Sequence, residues 1–215
     1  GAPSESGAAG GSAPAIAGSL AIFPLPSGQM IAAVTGPGTQ AWVASVAGQR
    51  TGRAFSRFSD LTGDPVVRDN VVYAGNHSGR AAAFSAVTGQ SIWRIDHGAL
   101  NPMWVDGGSV FLVSDENQLI RVDAATGDII WLVDLPFFTA NGLNKRETTY
   151  SHFGPVLAGG RLLIASDDDQ IRQFDPVTGG FISSIALPKG AASGPVVAGG
   201  TLYVVTEDGA LHAFR

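Results

Sequence analysis

The chain has 215 residues, of which 45% are apolar and only 14% charged, a balance that excludes a disordered polymer and calls for extensive burial. Its formal net charge of −5 argues against nucleic-acid binding through a general field. The absence of cysteine rules out disulfides, thiolate chemistry and sulfur-based zinc sites, and no apolar run approaches the ~20 residues of a membrane-spanning helix.

Residues 1–11 (GAPSESGAAGG) are small and polar, without the pattern of a signal peptide, and read as a flexible or foreign start to a fragment whose true beginning lies elsewhere. From residue 12 onward one unit recurs. Its copies occupy about 12–46, 63–96, 101–135, 153–187 and 193–215, and the clearest pair is GPVLAGGRLLIASDDDQIRQF against GPVVAGGTLYVVTEDGALHAF. Repetition at a period of about 40 residues means one supersecondary unit stacked on copies of itself.

Within each copy the same order of elements is expected. A short apolar strand follows a small residue and usually a proline, as in Pro65-Val66-Val67 and Pro155-Val156-Leu157. A two-residue turn then suits positive φ: Asp69-Asn70, Gly107-Gly108, Gly159-Gly160 or Gly199-Gly200. A second apolar strand, a polar turn and a third strand ending near Phe84, Val122, Phe174 or Phe214 follow. The next turn reads Val87-Thr88-Gly89, Ala125-Thr126-Gly127 and Val177-Thr178-Gly179, with Asp123 and Asp175 three residues before the threonine. An aspartate there can accept hydrogen bonds from the N–H groups of its own turn, while the glycine takes the left-handed position. A fourth strand carries Trp93 or Trp131 four residues after the glycine; Pro37-Gly38 with Trp42 is a weaker version, and Ser183 breaks the pattern.

The turn glycines Gly38, Gly89, Gly127 and Gly179 are spaced by 51, 38 and 52 residues. The two long intervals hold insertions, AGQRTGRAFSRFSDLT at 47–62 and PFFTANGLNKRETTYSH at 136–152. No segment sustains a 3.6-residue period for three turns, so no helix is expected. The fold class is therefore all-β: a propeller of four-stranded antiparallel blades, about five of them here, the last lacking its fourth strand.

The spacing of Asp123, Thr126, Gly127 and Trp131 resembles the PQQ-type, quinoprotein-like propeller repeat, in which the tryptophan docks between adjacent blades. In the preceding copy Ser85 replaces the aspartate. A closer resemblance covers most of the chain. The order of Ser12-Ala13-Pro14, Ser27-Gly28-Gln29-Met30-Ile31 and Arg57-Phe58-Ser59-Asp60-Leu61, leading to Pro65-Val66-Val67, is similar to the C-terminal part of the BamB family of outer-membrane β-barrel assembly lipoproteins.

That resemblance implies an eight-bladed ring at the periplasmic face of the outer membrane of a Gram-negative bacterium. It implies attachment only through a lipid on an N-terminal cysteine that this chain lacks. The implied partners are the POTRA domains of BamA and, through an exposed strand edge, nascent outer-membrane proteins. Carried over residue by residue, the implied contact falls on Arg57, Phe58 and Asp60, with Arg53 and Leu61 beside them. Thr62 stands where the family often has a second acidic residue, and residues 6–9 lack the leucine and arginine of a second family contact.

The residues alone weigh less sharply. The 47–62 connection, with Arg50, Arg53, Phe55, Arg57, Phe58 and Asp60, reads either as an interface or as a solvated loop anchored by a phenylalanine. In the second insertion, Phe137, Phe138 and Tyr150 beside Lys145 and Arg146 read first as pins holding the loop to its blade. Asp167-Asp168-Asp169 occupies a repeat turn and lacks EF-hand spacing. His77, His97, His152 and His212 form no metal-binding pair and read as surface or turn residues; Asn76-His77-Ser78 fits a glycosylation sequon but falls in a repeat turn.

No nucleophile elbow, Walker loop or cysteine nucleophile is present, so no catalytic residue, cofactor or metal is expected. A non-enzymatic scaffold is the leading reading. The rivals are a PQQ-dependent quinoprotein dehydrogenase, whose vicinal cysteine pair is impossible here, and an unrelated propeller adaptor or sensor domain.

Overall fold

A computed structural model describes residues 12–46, 61, 63–77, 79–139 and 148–215, and among them every regular element is a strand. Four sheets have four antiparallel strands each, in simple meander order. The first comprises β1 (Ala15–Ala17), β2 (Leu20–Pro24), β3 (Gln29–Val34) and β4 (Gln40–Ser45). The second comprises β5 (Val66–Arg68), β6 (Val71–Gly75), β7 (Ala81–Ser85) and β8 (Ser91–Ile95). The third is β9 (Trp104–Asp106), β10 (Ser109–Val113), β11 (Gln118–Asp123) and β12 (Ile129–Asp134). The fourth is β13 (His152–Ala158), β14 (Arg161–Ser166), β15 (Gln170–Phe174) and β16 (Phe181–Ala186). The last sheet has three strands, β17 (Val196–Ala198), β18 (Thr201–Val205) and β19 (Leu211–Phe214). The chain forms two compact units, residues 1–110 with 122–128, and residues 111–121 with 129–215.

Local chemistry explains the first hairpin of each of the last four sheets. Both central residues of its two-residue turn lie at positive φ: 49° and 61° at Asp69 and Asn70, 54° and 75° at Gly107 and Gly108, 56° and 71° at Gly159 and Gly160, 56° and 72° at Gly199 and Gly200. Such a turn matches the right-handed twist of the flanking strands, and only Gly, Asn and Asp enter it at low cost.

The second strands of the three middle sheets, β6, β10 and β14, and the third strand β7 are buried on both faces, which is why they do not alternate, whereas β3 and β19 do. Every residue of β10 is buried, as are Ala81, Ala82, Ala83 and Phe84 of β7. The fourth strands alternate instead: in β12 and β16 the exposed positions are broken by half-buried ones. In the first unit, Ile22, Met30, Trp42, Val46 and Leu61 pack with Val72, Ala82 and Phe84 of the second sheet. In the second unit, Leu163, Ile171 and Leu187 pack with Leu202 and Val204 of the last sheet.

One boundary differs from the sequence reading. β13 begins at His152, so the last residue assigned to the second insertion is a strand residue paired with Ser166. His152 is only 4% exposed, where a surface or turn position was expected. The alternation around it is interrupted by a register shift between Phe153 and Val156, which hides the strand from a period-2 reading.

Candidate functional site

The Asp-Thr-Gly turn and the tryptophan form one repeated joint. Asp123 Oδ1 accepts the backbone N–H groups of Ala125 and Thr126, both at 2.9 Å, and the Gly127 N–H returns to the Asp123 carbonyl at 2.9 Å. Asp175 does the same for Val177 (2.8 Å) and Thr178 (2.7 Å), adding the Thr178 hydroxyl at 3.1 Å. These donors hold both carboxyls below the usual carboxylate range: the Thr126 N–H is the largest cause at Asp123, and the Thr178 N–H at Asp175. In the second copy the Ser85 hydroxyl substitutes, accepting the Thr88 N–H at 3.2 Å.

The glycine is required by close approach as well as by φ. A Cβ on Gly127 would stand 2.8 Å from the Trp93 ring, on Gly89 2.7 Å from Trp42, and on Gly179 2.9 Å from Trp131. Each tryptophan thus lies flat under the turn of the following sheet. Register shifts immediately before the turn, at Ala32/Ala33 and Ala83/Phe84, re-aim the fourth strand so that its tryptophan reaches that place. Trp42 Nε1 donates to the Ala86 carbonyl at 3.0 Å, and Trp93 Nε1 to Ala124 at 2.9 Å.

The third joint departs from this rule. The corresponding carbonyl, Pro176, is taken by Arg121 Nη1 at 3.3 Å, which also donates to Val177 at 3.1 Å. Trp131 Nε1 is left buried without a partner. The Arg121 guanidinium also lies over the Phe111 ring, 5.9 Å from its centroid. Sequence reasoning missed Arg121; its only signal was an arginine at a strand position where the two preceding copies carry alanine, Ala32 and Ala83.

Arg53, Arg57, Phe58 and Asp60, the expected partner contacts, lie outside the described residues, as do Lys145 and Arg146. Both ends of the 47–60 connection are fixed in the first unit. Val46 is fully buried, donates its N–H to Gly28 at 2.9 Å, and accepts Asn76 Nδ2 at 3.1 Å. Leu61 is 5% exposed in the core, and its carbonyl accepts the Ser12 hydroxyl at 2.6 Å. Leu61, expected among the contact residues, has its side chain in this core. Asn76 is fully buried with Oδ1 accepting the Arg80 N–H at 2.8 Å, so the sequon asparagine is inaccessible in the folded chain.

In the second insertion, the described legs pair with each other: Tyr150 N–H donates to Phe137 at 2.9 Å and Thr139 N–H to Thr148 at 3.1 Å. Phe137 and Phe138 pack as tilted rings, centroids 4.7 Å apart and planes inclined by 58°. The triple aspartate forms the β14–β15 turn, where Asp168 grips Arg172.

The family model described as outer membrane protein assembly factor BamB matches residues 2–133 and 141–215. The protein of that description from Kangiella koreensis is 27% identical over 172 residues, covering 80% of this chain and 39% of its own length. That from Salmonella typhimurium is 29% identical over 175 residues, covering 81% of this chain and 42% of its own. The chain therefore spans about two fifths of these relatives. The crystal structure of BamB from Moraxella catarrhalis superposes with a TM-score of 0.80 at 18% identity, covering 98% of this chain and 60% of that one. The shared fold is all-β, built of four-stranded antiparallel propeller blades.

Proposed function

Since the chain belongs to the family of outer membrane protein assembly factor BamB, we propose that it acts as a non-enzymatic scaffold in the assembly and insertion of outer-membrane β-barrel proteins. It works at the periplasmic face of the outer membrane of a Gram-negative bacterium. The observation that carries this reading is the family match over nearly the whole sequence. A non-catalytic role is supported by the repeat motif, whose polar atoms are spent on its own turns and on seating tryptophans.

The mechanism is positional. The first two blades share one core, and the 47–60 connection, tethered at Val46 and Leu61, presents a charged and aromatic segment to the POTRA domains of BamA. Arg57 pairs with a carboxylate of the partner, Phe58 fills a pocket, Asp60 accepts a basic group or a backbone N–H, and Arg53 adds charge complementarity. Tethered ends support this assignment because a loop held at both feet loses less entropy on docking than a free one.

The test is a pull-down with isolated POTRA domains, comparing the wild-type chain with Arg57→Glu. Capture of the wild type and loss of capture by the variant is expected. Equal capture of both removes Arg57 from the contact, and failure of the wild type to bind removes the partner.

A further inference from the structure

At the foot of the 136–152 insertion a buried histidine joins elements that no repeat motif connects. His152 Nε2 lies 2.7 Å from the Pro136 carbonyl on the outgoing leg, and Nδ1 lies 2.6 Å from the Ser166 hydroxyl at the end of β14. A carbonyl can only accept, so Nε2 carries a proton, and in the neutral imidazole Nδ1 then accepts the hydroxyl hydrogen of Ser166. The serine oxygen in turn accepts Arg172 Nη1 at 3.2 Å. With the Ser166 hydroxyl as donor to Nδ1, the imidazole in this chain of donors and acceptors is neutral.

The same foot is gripped from a second side. Asn117 Nδ2 donates to the Tyr150 carbonyl at 2.8 Å and to Pro136 at 3.3 Å, while its own carbonyl accepts the Leu135 N–H at 2.8 Å. Ser151 N–H donates to Asp167 Oδ2 at 3.0 Å, and Asp167 N–H returns to Ser151 at 3.1 Å. Pro136 on the outgoing leg and Tyr150 on the returning leg are therefore held by backbone carbonyls that point into this cluster.

We propose that His152 is a pH-sensitive anchor: neutral, it ties the two legs of the 136–152 insertion to the fourth sheet, and its protonation loosens them. A proton on Nδ1 would face the Ser166 hydroxyl hydrogen. The serine would have to turn and give up its donor role, and a cation would sit beside the Arg172 guanidinium. Of the charges that face it, Arg172 opposes protonation, whereas Asp168 and Asp167 favour it; Asp168 is already committed to Arg172. Burial outweighs these and holds the imidazole below its ordinary range. The sign follows. The unfolded chain binds the proton more readily, so the anchor is fully present above the unfolded value of about 6.5 and is lost as pH falls through the lower, folded value.

The test follows amide hydrogen exchange by NMR on the full 215-residue chain at pH 7.5 and pH 5.0, corrected for intrinsic rates. The reporters are Thr139 and Tyr150 on the legs, with Ile164 and Ile171 as core references. Leg exchange should rise relative to the core at pH 5.0, by up to about thirtyfold, the limit set by the interval between pH 5.0 and the ordinary imidazole value of about 6.5. In His152→Gln, which has no titrating group, the ratio should be independent of pH. An unchanged ratio in the wild type, or the same rise in the variant, overturns the proposal. If the variant does not fold, the wild-type chain decides alone: the midpoint of the leg response must coincide with the titration of His152 Cε1–H, and a response that tracks another group overturns the anchor.

Discussion

Replacing Gly127 by alanine separates two costs that one glycine avoids. Its φ of +79° would strain any L-residue, and a Cβ would meet Trp93 ring atoms at 2.8 Å. Gly107 supplies the control, because its φ is +54° but nothing lies within 4 Å of a Cβ built there. Gly107→Ala therefore costs only the conformational term, about 1 kcal/mol. Gly127→Ala adds overpacking against a side chain 6% exposed and fixed by its bond to Ala124, about 1–3 kcal/mol more. At roughly 2–4 °C per kcal/mol for a chain of this size, the melting temperature should fall about 2–4 °C for the control and about 4–16 °C for Gly127→Ala. Thermal unfolding followed by far-UV circular dichroism reads both. In a Trp93→Leu background, which removes the indole, the Gly127→Ala increment should shrink to that of the control. Equal costs for the two glycines, or an increment that survives loss of the indole, would refute the reasoning.

The joints also differ among themselves. Trp93→Phe should cost about 1 kcal/mol more than Trp131→Phe in urea unfolding, since only Trp93 loses an indole hydrogen bond and Trp131 Nε1 has none to lose. Leu61→Ala should lower stability by about 2–5 kcal/mol, as a core truncation does, whereas a surface contact residue would change it by less than about 0.5 kcal/mol; urea midpoints of the two cases distinguish them.

Much of the architecture is legible from residues close together in the chain. Asp69-Asn70 and the three Gly-Gly pairs announce positive-φ hairpins because φ depends on a residue's own sterics. Asp123 and Asp175 announce their turns because the N–H groups they accept are two and three residues away. The tryptophans follow from the same local count. Less was legible where a strand is irregular: the shift between Phe153 and Val156 disguises the start of β13 and, with it, His152.

The expected contact residues rest on resemblance along the connection, and resemblance carries no information about which side chains turn into the core. Leu61 is the case in point, four residues from Arg57 and yet in the core. No periodicity inside a long connection could have flagged it, because the connection has none.

The sequence by itself determined the repeat, its strand count and its turn chemistry, and with them the propeller class and the family. Tertiary structure alone decided which carbonyl each joint uses, that Arg121 reaches Pro176 across 55 positions, that Ser12 closes on Leu61 across 49, and that His152 is buried between Pro136 and Ser166. The physical reason is range. Backbone preference and hairpin turns are settled among near neighbours, whereas burial and hydrogen-bond partnership depend on segments brought together only when sheet packs on sheet.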